Sequence, residues 1–157
     1  MSIPKKITEF LDTHNVPYQH CTHSPAYTAQ GLAHVQHISG KELAKVVMVV
    51  AKGKMLMTVL PGSHRVELDM LAKLLETEEL RLATEDEFKD TFPDCDLGAM
   101  PPFGNLYGLE VWVDSALESH ATITFNAGSH VETIQMNMAD LKRLVVPKMG
   151  TFSVLRH

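Results

Sequence analysis

The stretch Ala44–Ala51, reading AKVVMVVA, is the strongest constraint on what this chain can fold into. It is valine-rich and apolar at nearly every position, without the polar–apolar alternation of a half-exposed strand. A strand of that kind must be covered on both faces. Its uninterrupted apolar run, Val46 to Ala51, is six residues long, far short of the roughly 20 that a membrane-spanning helix needs. Lys52-Gly53 supplies a turn and Lys54 to Leu60 returns as a second strand, so the two form a hairpin.

Covering that hairpin requires a core on each side. A chain of 157 residues with 45% hydrophobic content can supply it, because folding at this size hides about 70% of the extended chain's surface. No repeat, low-complexity tract or Ser/Gly-rich linker interrupts the sequence, so residues 1–157 are expected to form one domain. Ile7, Phe10 and Leu11 fit a short amphipathic helix from Pro4 to His14 that stops at Asn15. Val16 to Thr22 reads as a strand, marked as an edge by Pro17. Thr28 caps a helix over Ala29–Val35, and Asp69 caps one over Met70–Leu75. Leu80 to Ala83 is a short strand, followed by a helix to Asp90 that opens with a Thr84/Glu87 capping box. After a turn-rich loop from Phe92 to Gly104 come strands at Leu109–Val113, Ala121–Asn126 and Val131–Met136, then a helix over Ala139–Val145. Strands with helices between and around them predict an α/β or α+β domain built on a mixed sheet, with closure into a barrel-like form as one arrangement.

Charge is distributed unevenly. Residues 1–60 carry six Lys/Arg against three Asp/Glu, residues 61–100 carry four against eleven, and the net charge is −5. That balance excludes a protein held to DNA or RNA by bulk positive charge, since such affinity needs many neutralised phosphates. It leaves room for a few phosphate contacts from the mildly basic first third. The N-terminus has basic residues without a following apolar stretch, so no secretory leader is expected. Cys21 and Cys95 make no disulfide framework and read as reduced thiols of a cytoplasmic protein.

Three places depart from ordinary packing. Lys45 shares a face with Val47 and Val49 at the start of the doubly buried strand, where an ammonium needs a partner, a route to water or a function. One reading is a stem that carries the charge out to water. The other is a point charge for a ligand phosphate or carboxylate, or a donor to a developing oxyanion. The loop Gly98-Ala99-Met100-Pro101-Pro102-Phe103-Gly104 pairs two stiffening prolines with flanking glycines. It is either a rigid connection or a frame that presents backbone groups to a water or a carbonyl oxygen. Asn126-Ala127-Gly128-Ser129-His130 reads as a turn between strands that holds a hydroxyl and an imidazole at a strand end. Ser129 and His130 are adjacent and face opposite ways, so they are no nucleophile–base pair. The cluster His20, Cys21 and His23, with His34 and His37 further on, lacks the two well-spaced ligand pairs of a zinc site. Neither a metal nor another cofactor is expected.

Taken together, His23-Ser24-Pro25-Ala26-Tyr27-Thr28-Ala29-Gln30, Gly40-Lys41-Glu42-Leu43-Ala44-Lys45, Gly98 to Gly104 and Phe125 to His130 resemble the YbaK/prolyl-tRNA synthetase associated family, over roughly residues 15–147. The resemblance implies a mixed, barrel-like sheet with surrounding helices. It also implies hydrolysis of mischarged aminoacyl-tRNA by a free-standing protein, without metal or covalent nucleophile. The family's lysine maps onto Lys45, the glycine of its GxxxP loop onto Gly98 with Pro102 closing the motif, and its late histidine onto His130. By that mapping Lys45 and Gly98 serve the reaction, while His130, Gly128, Ser129, Pro101 and Pro102 bind substrate. The implied partners are the aminoacyl-tRNA 3′ end and prolyl-tRNA synthetase, with alanine on tRNA(Pro) as the leading substrate and no membrane or DNA partner. The competing function is a non-catalytic module that binds an amino acid, tRNA or synthetase through the same pocket.

Overall fold

The structure, a computed structural model, describes residues 3–23 and 42–156. Helix α1 (Lys5–Thr13) turns Ile7 and Leu11 into the core and stops where Asn15 adopts a left-handed conformation. Strand β1 (Tyr18–Thr22) follows at the edge of a three-stranded antiparallel sheet with the order β1-β8-β7, as the proline beside it predicts. In that sheet β7 is Thr122–Ser129 and β8 is Glu132–Asn137. The helix expected over Ala29–Val35 lies outside the described residues.

The hairpin of β2 (Ala44–Ala51) and β3 (Lys54–Pro61) is the centre of the second, five-stranded sheet, and its pairing runs unbroken from Ala44–Pro61 to Ala51–Lys54. β5 (Leu80–Leu82) flanks β2, while β6 (Glu110–Asp114) and β9 (Lys148–Gly150) extend the other side in parallel. A third, two-stranded sheet joins β4 (His64–Val66) to β10 (Ser153–Leu155). No sheet closes on itself among the described strands, so the architecture is a mixed α+β arrangement of three sheets rather than a barrel. Helices α2 (Leu68–Leu75), α3 (Glu85–Phe88) and α4 (Met138–Val145) complete it. Among the described residues, no helix is long and apolar enough to cross a membrane.

The hairpin is covered on both faces, as its composition requires. Ala44, Val46 and Met48 turn to the larger core with Phe103, Phe125, Ile134 and Leu141. Val47, Val49 and Ala51 turn to a second core with Leu60, Leu71, Trp112 and Phe152. The capping box of α3 forms as expected, with Glu87 accepting from the Thr84 backbone N–H at 2.9 Å. The start of α2 differs: Glu67 occupies the cap and Asp69 sits in the first turn, where its charge still opposes the exposed N–H groups. The short strands β4, β9 and β10 carry too few residues to show a period. They form because the rest of the fold presents them with edges. A buried carboxylate anchors the last of these: Asp114, 1% exposed, accepts from the backbone N–H groups of Phe152 at 2.8 Å and Ser153 at 3.1 Å.

Phe103 joins the loop after residue 92 to the larger core. It is fully buried, with edge-on contacts to Phe10 (ring centroids 6.0 Å) and Phe125 (5.6 Å). Phe103→Ala should lower unfolding free energy by about 3–5 kcal/mol, read from urea denaturation. A loss below 1 kcal/mol would show that the loop is not part of the core.

Candidate functional site

The loop after Phe92 is stitched to the end of β7. The Asp96 N–H donates to the Gly128 carbonyl at 2.8 Å, and the Gly128 N–H donates to the Ala99 carbonyl at 2.9 Å. These bonds need an irregular strand, and β7 provides it with a shift in pairing between Asn126 and Ser129. Gly128 sits there at φ +95°, and a Cβ on it would lie 2.5 Å from Pro4 Cδ. The sequence places a turn over Asn126–His130. Instead the strand runs through Gly128 to Ser129, and the glycine serves a bulge rather than the turn.

That bulge brings together residues distant in sequence. His130 Nε2 lies 2.9 Å from the carbonyl oxygen of Leu97, 33 residues away. A carbonyl only accepts, so Nε2 carries the hydrogen of this bond. Gly98 is exposed at φ +84°, and a Cβ there would lie 3.5 Å from His130 Cε1. Its N–H is directed at Met100 Sδ at 3.3 Å, a weak acceptor that a ligand oxygen can replace. Pro101 and Pro102 are buried, so they stiffen the loop from beneath rather than offering surface to a ligand. Ser129 is also buried, at 1% exposure; its hydroxyl donates to Glu132 Oε2 at 3.3 Å and accepts from the Val131 N–H at 3.3 Å.

Glu132 also reaches His20, with Oε1 3.5 Å from Nε2. The sequence provides no acidic partner for the His20–Cys21–His23 cluster; the antiparallel pairing of β1 with β8 brings one. Among the described residues, no group of three or more His, Cys, Asp or Glu is placed to hold a metal ion. His34 and His37 lie outside the described residues, as do Ser24 to Gln30 and Gly40–Lys41 of the motifs. Beneath the loop, burial pushes the Cys95 thiol up to about 11, so it is a neutral group, with Tyr107 Oη 3.5 Å from its sulfur.

Lys45 stands apart from the loop, on β2 opposite Leu60. It is half-buried, and loss of water lowers its pKa from 10.5, with the charge of Arg156 lowering it further. Among the described residues no hydrogen bond or ion pair involves its ammonium, and none joins it to Gly98 or His130. The link to β7 runs through the backbone. Leu43 and Thr124 form a parallel bridge, and the Thr124 N–H donates to the Glu42 carbonyl at 3.2 Å. Two residues further along, β2 carries Lys45 and β7 carries Asn126. Asn126 Oδ1 is buried there without a hydrogen-bond partner, a residue that sequence reasoning passed over because it read as part of a turn.

A half-buried ammonium without a counter-ion costs the fold some stability. Its folded pKa lies below its unfolded one, so between the two the unfolded chain holds more protons and stability rises with pH. Below the lowered pKa the full cost is present. Lys45→Met should therefore raise Tm at pH 7 by about 2 °C, and the advantage should shrink as pH rises toward 10.5. A lower Tm at pH 7, measured by calorimetry, would mean that the ammonium has a stabilising partner.

The aminoacyl-tRNA editing domain model matches residues 23–144 of this chain. Among solved structures, an uncharacterised protein aligns at TM-score 0.86 with 19% identity, covering 95% of this chain and 99% of that one. A proposed trans-editing enzyme for prolyl-tRNA synthetase aligns at TM-score 0.80 with 18% identity, over 96% of each chain. A proposed signal transduction protein from Marinobacter aquaeolei VT8 aligns at TM-score 0.77 with 18% identity, over 98% of this chain and 31% of that one. No curated protein matches at a significant level. At these identities the structural likenesses establish the fold, which is shared over nearly the full length of the chain. The match to the family model spans well over half of the sequence and takes in Lys45, Gly98 and His130; the chain belongs to the aminoacyl-tRNA editing domain family.

Proposed function

We propose that the protein is a free-standing aminoacyl-tRNA deacylase that hydrolyses the ester of a small mischarged amino acid in trans, with alanine on tRNA(Pro) as the leading substrate. The observation that carries this reading is the meeting of Gly98 and His130 at the end of β7, in a chain that also holds a partly desolvated cation on β2. An aminoacyl ester on a terminal ribose is already activated, so the reaction needs positioning and charge stabilisation rather than a covalent nucleophile.

In this reading Lys45 holds the anionic backbone at the reacting end. The Gly98 N–H turns from Met100 Sδ to the ester carbonyl oxygen or the attacking water. Water adds to the carbonyl carbon, the bond to the ribose oxygen breaks, and that oxygen leaves with a proton. His130, its Nε2–H held by the Leu97 carbonyl, stands beside Gly98 and limits the size of the amino acid. Gly128 and the buried Ser129 set the position of His130, while Pro101 and Pro102 keep the Gly98 loop from collapsing. A size-limited pocket suits editing, because one methylene changes discrimination by only about 1–3 kcal/mol. The net charge of −5 implies a light grip on RNA, so a synthetase partner would deliver the substrate. The family's chemistry and the neighbour proposed to act in trans for prolyl-tRNA synthetase support that choice.

The test is release of amino acid from a panel of mischarged tRNAs carrying Ala, Ser, Thr or Cys, with and without prolyl-tRNA synthetase. Wild type should release alanine fastest. Lys45→Ala and Gly98→Ala should each lower kcat/KM by roughly 100-fold, as loss of one oxyanion-holding or orienting group does. Turnover of no ester, together with saturable binding of the aminoacyl end, would replace the deacylase with a non-catalytic binding module.

A further inference from the structure

The turn that carries His130 is two residues long: β7 ends at Ser129, β8 begins at Glu132, and those two residues are paired in register. Two-residue hairpin loops favour a positive φ at one or both loop positions, because that backbone twist matches the strands. Neither His130 nor Val131 is among the described residues with positive φ, and a β-branched valine would be strained there. The loop's own backbone preference therefore does not account for its shape. Side chains hold it instead. The Val131 N–H donates to Ser129 Oγ at 3.3 Å, and the Ser129 hydroxyl donates to Glu132 Oε2 at 3.3 Å. These two bonds run across the turn from its second residue to the carboxylate beyond it. The other carboxylate oxygen, Oε1, lies 3.5 Å from His20 Nε2 on β1, and the His23 N–H donates to the Val131 carbonyl at 2.8 Å. β1 thus grips the same turn twice, once by backbone and once by side chain.

The Glu132 side chain is 14% exposed, less than any other carboxylate paired with a Lys, Arg or His among the described residues. A carboxylate so sheltered needs partners, and both of its partners, Ser129 and His20, bear on the turn. We propose that Glu132 is a positioning residue for His130: its carboxylate, held between the Ser129 hydroxyl and His20, fixes the turn so that the imidazole reaches the Leu97 carbonyl and stands against Gly98. The inference rests on the deacylase reading for the reaction, and goes beyond it by placing control of the amino-acid pocket on a residue of β8 outside the motifs. The fit it guards is narrow. His130 Nε2 is 2.9 Å from the Leu97 carbonyl oxygen, and a shift of the turn by about 1 Å breaks that bond. Removing the carboxylate leaves the Ser129 hydroxyl, 1% exposed, without its acceptor, a cost that drives the turn to rearrange. Glu132 acts through the turn and not on the ester.

The experiment compares wild type, Glu132→Ala, Glu132→Gln, Ser129→Ala and the double variant Ser129→Ala/Glu132→Ala, with the Tm of each measured alongside. The first readout is exchange of the His130 Nε2 proton with water, followed by nitrogen-15 NMR in the free protein. The second is the ratio of kcat/KM for alanyl over threonyl esters of tRNA(Pro). Glu132→Ala should speed the exchange about tenfold and lower the alanine-over-threonine ratio about tenfold, as loss of one hydrogen bond to a charged group does. Glu132→Gln, whose amide oxygen still accepts from Ser129, should stay within about twofold of wild type in both. The double variant should be no worse than Ser129→Ala alone, because the two residues act as a unit. Should Glu132→Ala fail to fold, Ser129→Ala carries the same test, and must change both readouts. Unchanged exchange, a glutamine variant as impaired as the alanine one, or additive losses in the double variant would each overturn the assignment. Faster exchange in a protein that turns over no ester would keep the positioning role and overturn the deacylase. Turnover with exchange and ratio both unchanged in Glu132→Ala would do the reverse.

Discussion

The ammonium of Lys45 enters a strand that is buried on both faces and finds no carboxylate there. Most of what distinguishes this molecule follows from that conflict. A hairpin as apolar as β2–β3 exists to be covered, and it is covered by two cores. At the start of β2 the lysine is half-buried, and the charge of Arg156 acts on it. Charge left uncompensated in that way lowers stability, so the fold tolerates it only because the surrounding core is large. It also makes a place where an anion is stabilised more strongly than it would be in open water, because the local dielectric is lower.

The second constraint is the bulge in β7. A regular strand would project successive side chains to opposite faces and would pair every backbone group with β8. The extra length between Asn126 and Ser129 releases the Gly128 N–H and carbonyl to the Asp96–Ala99 loop. With those two bonds made, the loop stiffened by buried Pro101 and Pro102 has one position available, and Gly98 comes to lie against His130. The glycine at φ +95°, packed against Pro4, couples helix α1 to the same place. The meeting of Gly98 and His130 is therefore held by backbone geometry and core packing.

The sequence shows the large elements clearly. A continuous valine run needs two covered faces, a Lys-Gly pair closes a hairpin, and Thr84 with Glu87 announces a helix; all three form. Three-residue strands such as β4, β9 and β10 are different, because nothing in His64–Val66 or Ser153–Leu155 repeats often enough to carry a period. Their existence depends on partners far away in the chain, and with them goes the position of Arg156. Lys45, Gly98 and His130 could be picked out by residue type and by resemblance. Asn126 and Ser63 could not, since an asparagine or serine in a turn-rich stretch reads as turn chemistry, and only the spatial arrangement shows their oxygens buried without a partner. The pairing of Glu132 with His20 is hidden for the same reason: it arises from strand register.

The most direct measurement is the titration of Lys45 itself, followed through its labelled side-chain carbon by NMR, in the free protein and with the RNA 3′ end bound as a non-hydrolysable amide analogue. The account predicts that the free ammonium loses its proton below the ordinary lysine value of 10.5 and that the bound anion moves the titration upward, because a neighbouring negative charge favours the cation. A midpoint that starts at the ordinary value, or one that does not move when the analogue binds, would contradict it.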